Sequence, residues 1–277
     1  MVSATRTVDP LLPTETGTLN GLVYTLWLPE PRATAGVVVV HGAGSCKESH
    51  HDFARVAVAA GLGAICFDQR GHGESAGPMD GRAVTDVTAM VGRLRDALGD
   101  PRAPVALRGS SMGGYLAILA AAPPTAGAPA SALSPASAPA PASASAPALA
   151  SAPAPAVDAV DAVVAICPAS GVGLARALRA GTLDFDADVE AFGALLDAHD
   201  LAAAMPAVTV PVLILHAGGD EVVPIAHSRE LAPSMRDPGS RLIVVPGGHH
   251  RSIQHDGELQ ALSLRFIEHA LTSHRRP

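Results

Sequence analysis

Short runs of β-branched residues alternate along the chain with longer segments whose apolar positions recur at helical spacing. Val37, Val38, Val39 and Val40 form an unbroken apolar run, the mark of a strand covered on both faces. A hairpin-like region precedes it, ending in 22–28. A helical stretch over 52–60 then leads through Gly61 to a strand at 64–67. In 86–98, Val87, Met90, Val91, Leu94 and Leu98 fall on one side of a helix. A strand at 105–107 enters a tight turn and then an apolar helix at 115–122. Further strands are expected at 159–166, 212–215 and 242–245. A terminal helix carries Leu259, Leu262, Leu264, Phe266 and Ile267. Strands alternating with helices predict an α/β fold with a mostly parallel central sheet and helices on both faces.

One segment breaks this rhythm. From 126 to 156 every residue is Ala, Pro or Ser except Gly127, Leu133 and Leu149. Prolines recur too often for a helix, and too few large apolar groups are present to offset the entropy of ordering. The segment is expected to be a disordered insertion within a single domain spanning 1–277, because sheet strands lie on both sides of it. A second stretch, about 170–205, is long enough for a small helical cap. Leu174, Leu178, Leu183, Phe185, Val189, Phe192, Leu195 and Leu196 give it an apolar face. Its acidic residues, Asp184, Asp186, Asp188, Glu190, Asp197 and Asp200, are expected on the solvated side.

Composition narrows the function classes. With 48% hydrophobic residues in 277, the chain can build a large core, although only 3% are aromatic. The net charge is -7 and no basic block occurs, so nothing here would neutralise a phosphate backbone and nucleic acid is not an expected partner. The apolar runs are far shorter than the ~20 residues of a spanning helix, and residues 1–6 lack the apolar core of a signal peptide. No membrane span is expected. Cys46, Cys66 and Cys167 make an odd count without paired spacing, which fits reduced thiols in the cytoplasm.

The strongest chemical signal is Gly109-Ser110-Ser111-Met112-Gly113, set between a strand and a helix. A sharp strand-to-helix turn holds a nucleophile in strained backbone and lifts its hydroxyl above the sheet edge, next to free N–H groups of the helix start. A serine alcohol needs a base, and the base needs an orienting acid; in this arrangement the chain order is serine, acid, histidine. Both partners follow in that order. The run 213–215 enters a glycine turn that presents Asp220, with Glu221 beside it. The run 242–245 enters Pro246-Gly247-Gly248-His249-His250, and spacing within that turn leaves His249 and His250 both open as the base; His255 is a more distant candidate. No helix-borne or Cys/His zinc spacing occurs, G-x-G-x-x-G is absent, and the turn 42–45 lacks a phosphate-loop lysine. Neither a metal nor a cofactor is expected.

Together these features resemble the α/β-hydrolase fold serine hydrolases, in particular the serine aminopeptidase and monoacylglycerol-lipase-like group. His41-Gly42-Ala43-Gly44 is similar to that family's oxyanion turn, and Asp68-Gln69-Arg70-Gly71-His72-Gly73-Glu74-Ser75 to its D-x-R-G-x-G-x-S loop. His216-Ala217-Gly218-Gly219-Asp220-Glu221-Val222-Val223-Pro224 resembles H-G-x-x-D-x-x-V-P, with Ala217 in place of glycine. The resemblance spans the chain apart from the Ala/Pro/Ser insertion and the variable cap. It implies Ser111 as nucleophile, Asp220 as acid and, counting three from Gly247, His250 as base. It further implies backbone N–H donors from Ala43 and Met112 to the oxyanion. His41, His72 and His216 are then expected to support the turns. The implied activity is hydrolysis of a small or medium acyl ester through an acyl-serine, with the cap shaping an apolar pocket. The same apparatus serves aminopeptidases, amidases, thioesterases and acyltransferases, and a receptor-like relative with negligible turnover is a further possibility of another class.

Overall fold

The computed structural model describes residues 10–123 and 160–273. The expected disordered insertion at 126–156 lies outside the described residues. Asn20 and Gly21, both at positive φ, join β1 (Glu15–Leu19) to β2 (Leu22–Trp27) in an antiparallel hairpin. β3 (Gly36–Val40), α1 (His51–Ala59), β4 (Gly63–Phe67), α2 (Ala83–Leu98), β5 (Val105–Ser110) and α3 (Met112–Ala121) follow. Past the segment not described come β6 (Ala162–Ile166), α4 (Gly171–Arg179), α5 (Val189–Ala198) and α6 (Leu201–Ala204). The chain closes with β7 (Val212–Ala217), α7 (Ile225–Leu231), β8 (Arg241–Val245) and α8 (Gly257–Ser273).

The strands form one sheet in the order β1-β2-β4-β3-β5-β6-β7-β8. β2 runs antiparallel to β4, and the strands from β4 to β8 are mutually parallel. Alternation along β3 shows why both faces are filled. Val38 and Val40 enter a core with Val87 and Met90 of α2 and Leu116 of α3, while Val37 and Val39 enter a second core with Phe53 of α1 and Phe266 of α8. Crossing from β3 to β5 reverses the direction in which the sheet grows. In open α/β sheets ligands bind beyond the carboxyl ends of the strands at such a reversal.

β5 runs three residues past the strand expected from its apolar run. Arg108 continues the ladder against Val39 and Val164 although it is charged, because its guanidinium lies 4.0 Å over the Phe53 ring and donates to Gln254 O at 2.8 Å. The helix after it starts at Met112 rather than at 115.

Residues 170–205 hold α4, α5 and α6, with Leu174, Leu178, Phe192, Leu195 and Leu196 buried as expected. Val189 departs from that expectation: it is the first residue of α5 and 54% exposed. The six acidic residues are exposed, but two of them also start helices. Asp188 accepts from Glu190 N and Ala191 N, and Asp200 accepts from Ala202 N. Among the described residues no helix is long and apolar enough to cross a membrane.

Candidate active site

Four of the five expected site residues sit at or just beyond the carboxyl ends of β3, β5 and β7; His250 follows β8 by five residues. Ser111 links β5 to α3 with φ 53 and ψ -116, a backbone that side chains rarely adopt. Three hydrogen bonds hold it there: Ser111 N donates to Ile166 O at 2.8 Å, while Ala169 N and Tyr115 N both donate to Ser111 O at 3.0 Å. The turn is tight enough to demand glycine on either side. A Cβ on Gly109 would lie 2.1 Å from Gly113 O, and one on Gly113 2.1 Å from Val40 O. Ser111 itself is half-buried.

The turn after β3 lies against this serine, since a Cβ on Gly42 would be 3.2 Å from Ser111 Cβ. Ala43 is next in that turn, and Met112 opens α3. Two histidines brace the turn. His41 accepts from Gln69 N on Nε2 at 3.0 Å, and its Nδ1 lies 2.8 Å from Gly42 O. Burial, with the His72 ring adding to it, lowers the His41 pKa to about 4. His72 accepts from Gly44 N at 3.2 Å on Nε2, and its Nδ1 is 2.9 Å from Arg70 O. The loop that supplies His72 is anchored by ion pairs. Asp68, fully buried, binds Lys47 Nζ at 2.8 Å, and Arg70 binds Asp86 through two contacts at 2.8 and 3.0 Å.

Residues of the cap segment reach the same turn. Phe185 stacks on His72 with ring centroids 4.3 Å apart, and a Cβ on Gly44 would meet Asp184 at 3.4 Å. From below, Tyr115 of α3 donates to His199 O at 2.8 Å.

On the other side, His250 Nδ1 is 2.8 Å from Asp220 Oδ2. The Asp220 side chain is fully buried, and Oδ1 accepts from Val222 N at 2.9 Å and Val223 N at 2.8 Å. Burial works to raise its pKa, but hydrogen bonds from His250, from the Val223 and Val222 backbone and from the Cys167 thiol outweigh burial and leave it below the ordinary value. His216 lies under this turn, with Nε2 2.9 Å from Val223 O and Nδ1 2.7 Å from Ser228 Oγ. His249 points elsewhere: it is exposed and only its backbone engages Ser252. Glu221 is exposed too, and it accepts from the His250 backbone N–H at 3.2 Å rather than from the ring.

Cys167, expected from the sequence only as a reduced thiol, is buried just beyond β6 with φ 43, its thiol beside the Asp220 carboxylate. Burial and the Asp220 carboxylate raise its pKa. Cys167, Asp220 and His250 each offer a ligand atom within 4.8 Å of the others, a set of a size that could hold a metal ion. No spacing in the sequence announces this grouping; its one trace there is the position of Cys167 just after an expected strand. A separate cavity of 440 Å³, lined by residues such as Pro211, Arg241 and Phe266, lies at the opposite end of β7 and β8 and contains none of the groups above.

The model of the alpha/beta hydrolase family matches residues 37–261. A monoacylglycerol lipase of Mycolicibacterium smegmatis is 28% identical over 260 residues, covering 83% of this chain and 85% of its own length. The crystal structure of the Paleococcus ferrophilus monoacylglycerol lipase has a TM-score of 0.60 at 20% identity, over 91% of this chain and 99% of that one. A soluble variant of the monoglyceride lipase of Saccharomyces cerevisiae, in complex with a substrate analog, has a TM-score of 0.66 at 15% identity and covers both chains fully. At such identities the two structures speak for the fold.

Proposed function

The chain belongs to the alpha/beta hydrolase family, and from that premise we propose that it is a serine hydrolase acting on carboxylic esters, with monoacylglycerols as the leading substrate class. The observation that carries this reading is the 2.8 Å pairing of His250 Nδ1 with the buried Asp220 carboxylate, at the same sheet edge as the strained Ser111.

An ionised Asp220 keeps a proton on His250 Nδ1, which leaves Nε2 as an acceptor. Nε2 takes the Ser111 proton as Oγ attacks the ester carbonyl. The resulting oxyanion accepts from the N–H groups of Ala43 and Met112, and the partial positive charge at the start of α3 favours it. Collapse expels the alcohol, which takes the proton from His250 and leaves an acyl-Ser111. Water, deprotonated by the same histidine, then releases the carboxylic acid. Likeness to a monoacylglycerol lipase argues for a glycerol ester as the substrate of this chain, and the segment 170–205 would cover the acyl chain as a cap on a single 1–277 domain. Cys46, Cys66 and Cys167 are free, which fits a reducing compartment such as the cytoplasm.

The test is a panel of monoacylglycerols, chromogenic esters, thioesters and aminoacyl anilides, run with wild type and Ser111→Ala. Ester turnover should fall on the order of 10⁶-fold in the variant, and a fluorophosphonate probe should label only wild type. Equal labelling of both proteins, or anilides cleaved faster than every ester, would overturn the reading.

A further inference from the structure

His250 lies in the loop between β8 and α8, where Gly247 and Gly248 take positive φ and a turn bonded between His249 and Ser252 follows. Asp220 fixes the imidazole from one side. Four residues beyond His250, Gln254 joins this loop to the elbow from another. Ser110, the immediate neighbour of Ser111, donates from Oγ to Gln254 Oε1 at 2.6 Å. The backbone of Gln254 is held as well, because Nη2 of the buried Arg108 donates to Gln254 O at 2.8 Å. The other end of the amide is committed too. Gln254 Nε2 donates to His255 Nε2 at 2.8 Å, and His255 Nδ1 lies 3.1 Å from Asp52 Oδ2. Gln260 of α8 closes the network with a 2.7 Å bond to the same Asp52 oxygen.

We propose, resting on the hydrolase reading above, that Gln254 is a positioning residue that sets the distance between the His250 imidazole and the Ser111 hydroxyl. Its amide ties the base-bearing loop to the residue next to the nucleophile, 144 positions away in sequence. The polarity of the amide matters. The oxygen must face the Ser110 hydroxyl and the nitrogen must face the unprotonated ring nitrogen of His255. An apolar side chain of equal length fills the same space and satisfies neither. A loop released by ~1 Å would leave substrate binding intact and slow proton transfer, on the order of 10²-fold.

The experiment measures kcat and KM for one ester with wild type, Gln254→Met, Gln254→Glu, Ser110→Ala and the Ser110→Ala/Gln254→Met double variant, with Ser111→Ala alongside. Gln254→Met should lower kcat roughly 10- to 100-fold with KM nearly unchanged. Gln254→Glu still accepts from Ser110 but no longer donates to His255, so its kcat should lie between those of wild type and Gln254→Met. The double variant should be no slower than Gln254→Met alone, because both changes break one bond. Ser110→Ala reads the same bond from the elbow side and keeps the test intact if Gln254→Met does not fold. Unchanged kcat in Gln254→Met and Ser110→Ala, additive losses in the double variant, or a rise in KM at constant kcat overturns the positioning role alone. Wild-type turnover that survives Ser111→Ala overturns the hydrolase reading, and the positioning role with it.

Discussion

His41 makes stability depend on pH in a way that can be isolated. Its ring is buried, accepts a hydrogen bond from Gln69 N and sits 4.8 Å from the His72 ring. Its ordinary pKa of 6.5 falls to about 4 in the folded protein. Below pH 6.5 the unfolded chain therefore binds a proton that the native state refuses, and stability falls as the pH drops toward 4. The whole shift corresponds to about 3 kcal/mol, and the interval from pH 7 to pH 5 accounts for about 2 kcal/mol of it. His41→Gln removes the titration and keeps an acceptor within reach of Gln69 N. The variant should be less stable than wild type at pH 7, and the gap should shrink by about 2 kcal/mol at pH 5. Urea unfolding of both proteins at both pH values measures it. The comparison cancels His216 and His227, whose pKa values burial also lowers without a contribution from His41. His50 and His72, by contrast, lie close enough to His41 to respond to its replacement. A gap that stays constant within about 0.5 kcal/mol would refute the reasoning.

His250→Ala should abolish ester turnover while His249→Ala leaves it nearly intact, since of these two rings the His250 ring meets Asp220; steady-state rates decide, and the reverse result would move the base by one residue. Asp220→Asn should lower kcat on the order of 10⁴-fold by allowing the wrong tautomer, with Glu221→Ala close to wild type; a dead Glu221→Ala with an active Asp220→Asn would reassign the acid. Gly71→Ala would put a Cβ 1.9 Å from Asp186 O at φ +73, so the loop bearing Phe185 must lift. A loss of about 1–3 kcal/mol in urea unfolding is expected there, and unchanged stability would show that the loop yields without cost.

What could be read from the sequence was what repeats locally or is enforced by neighbours. The β3 valines state their own burial, and Gly109 with Gly113 announces the elbow because any larger residue there meets backbone. Period and propensity end where a polar residue is rescued from far away. β5 extends through Arg108 because of Phe53 and Gln254, neither of which leaves a trace near 105–110. The same holds for Cys167, whose contact with Asp220 depends on how β6 and β7 align. Val189 looked like part of the apolar face by type, yet helix phase puts it at the solvated start of α5. Choosing between His249 and His250 by spacing required a family pattern, whereas in three dimensions one ring reaches the carboxylate and its neighbour does not.

The order of strands across the sheet also governs timing. Ser111 directly follows a central strand, but Asp220 and His250 come after β7 and β8, and among the described residues β8 is the outermost strand of its edge. At ribosomal speeds of ~5–20 residues per second, the stretch separating Ser110 from Gln254 takes roughly 7–30 s to make. On the proposed assignment, Ser111 is without its acid until Asp220 is made and without its base until His250 is made, near the end of that interval. If Ser111, Asp220 and His250 are the catalytic residues, a chain that ends before β8 should not attack esters, and turnover should begin only once that strand has docked. Under the same reading, turnover would report that the sheet has been finished, a gauge of complete folding for variants that leave those three residues and their supports in place.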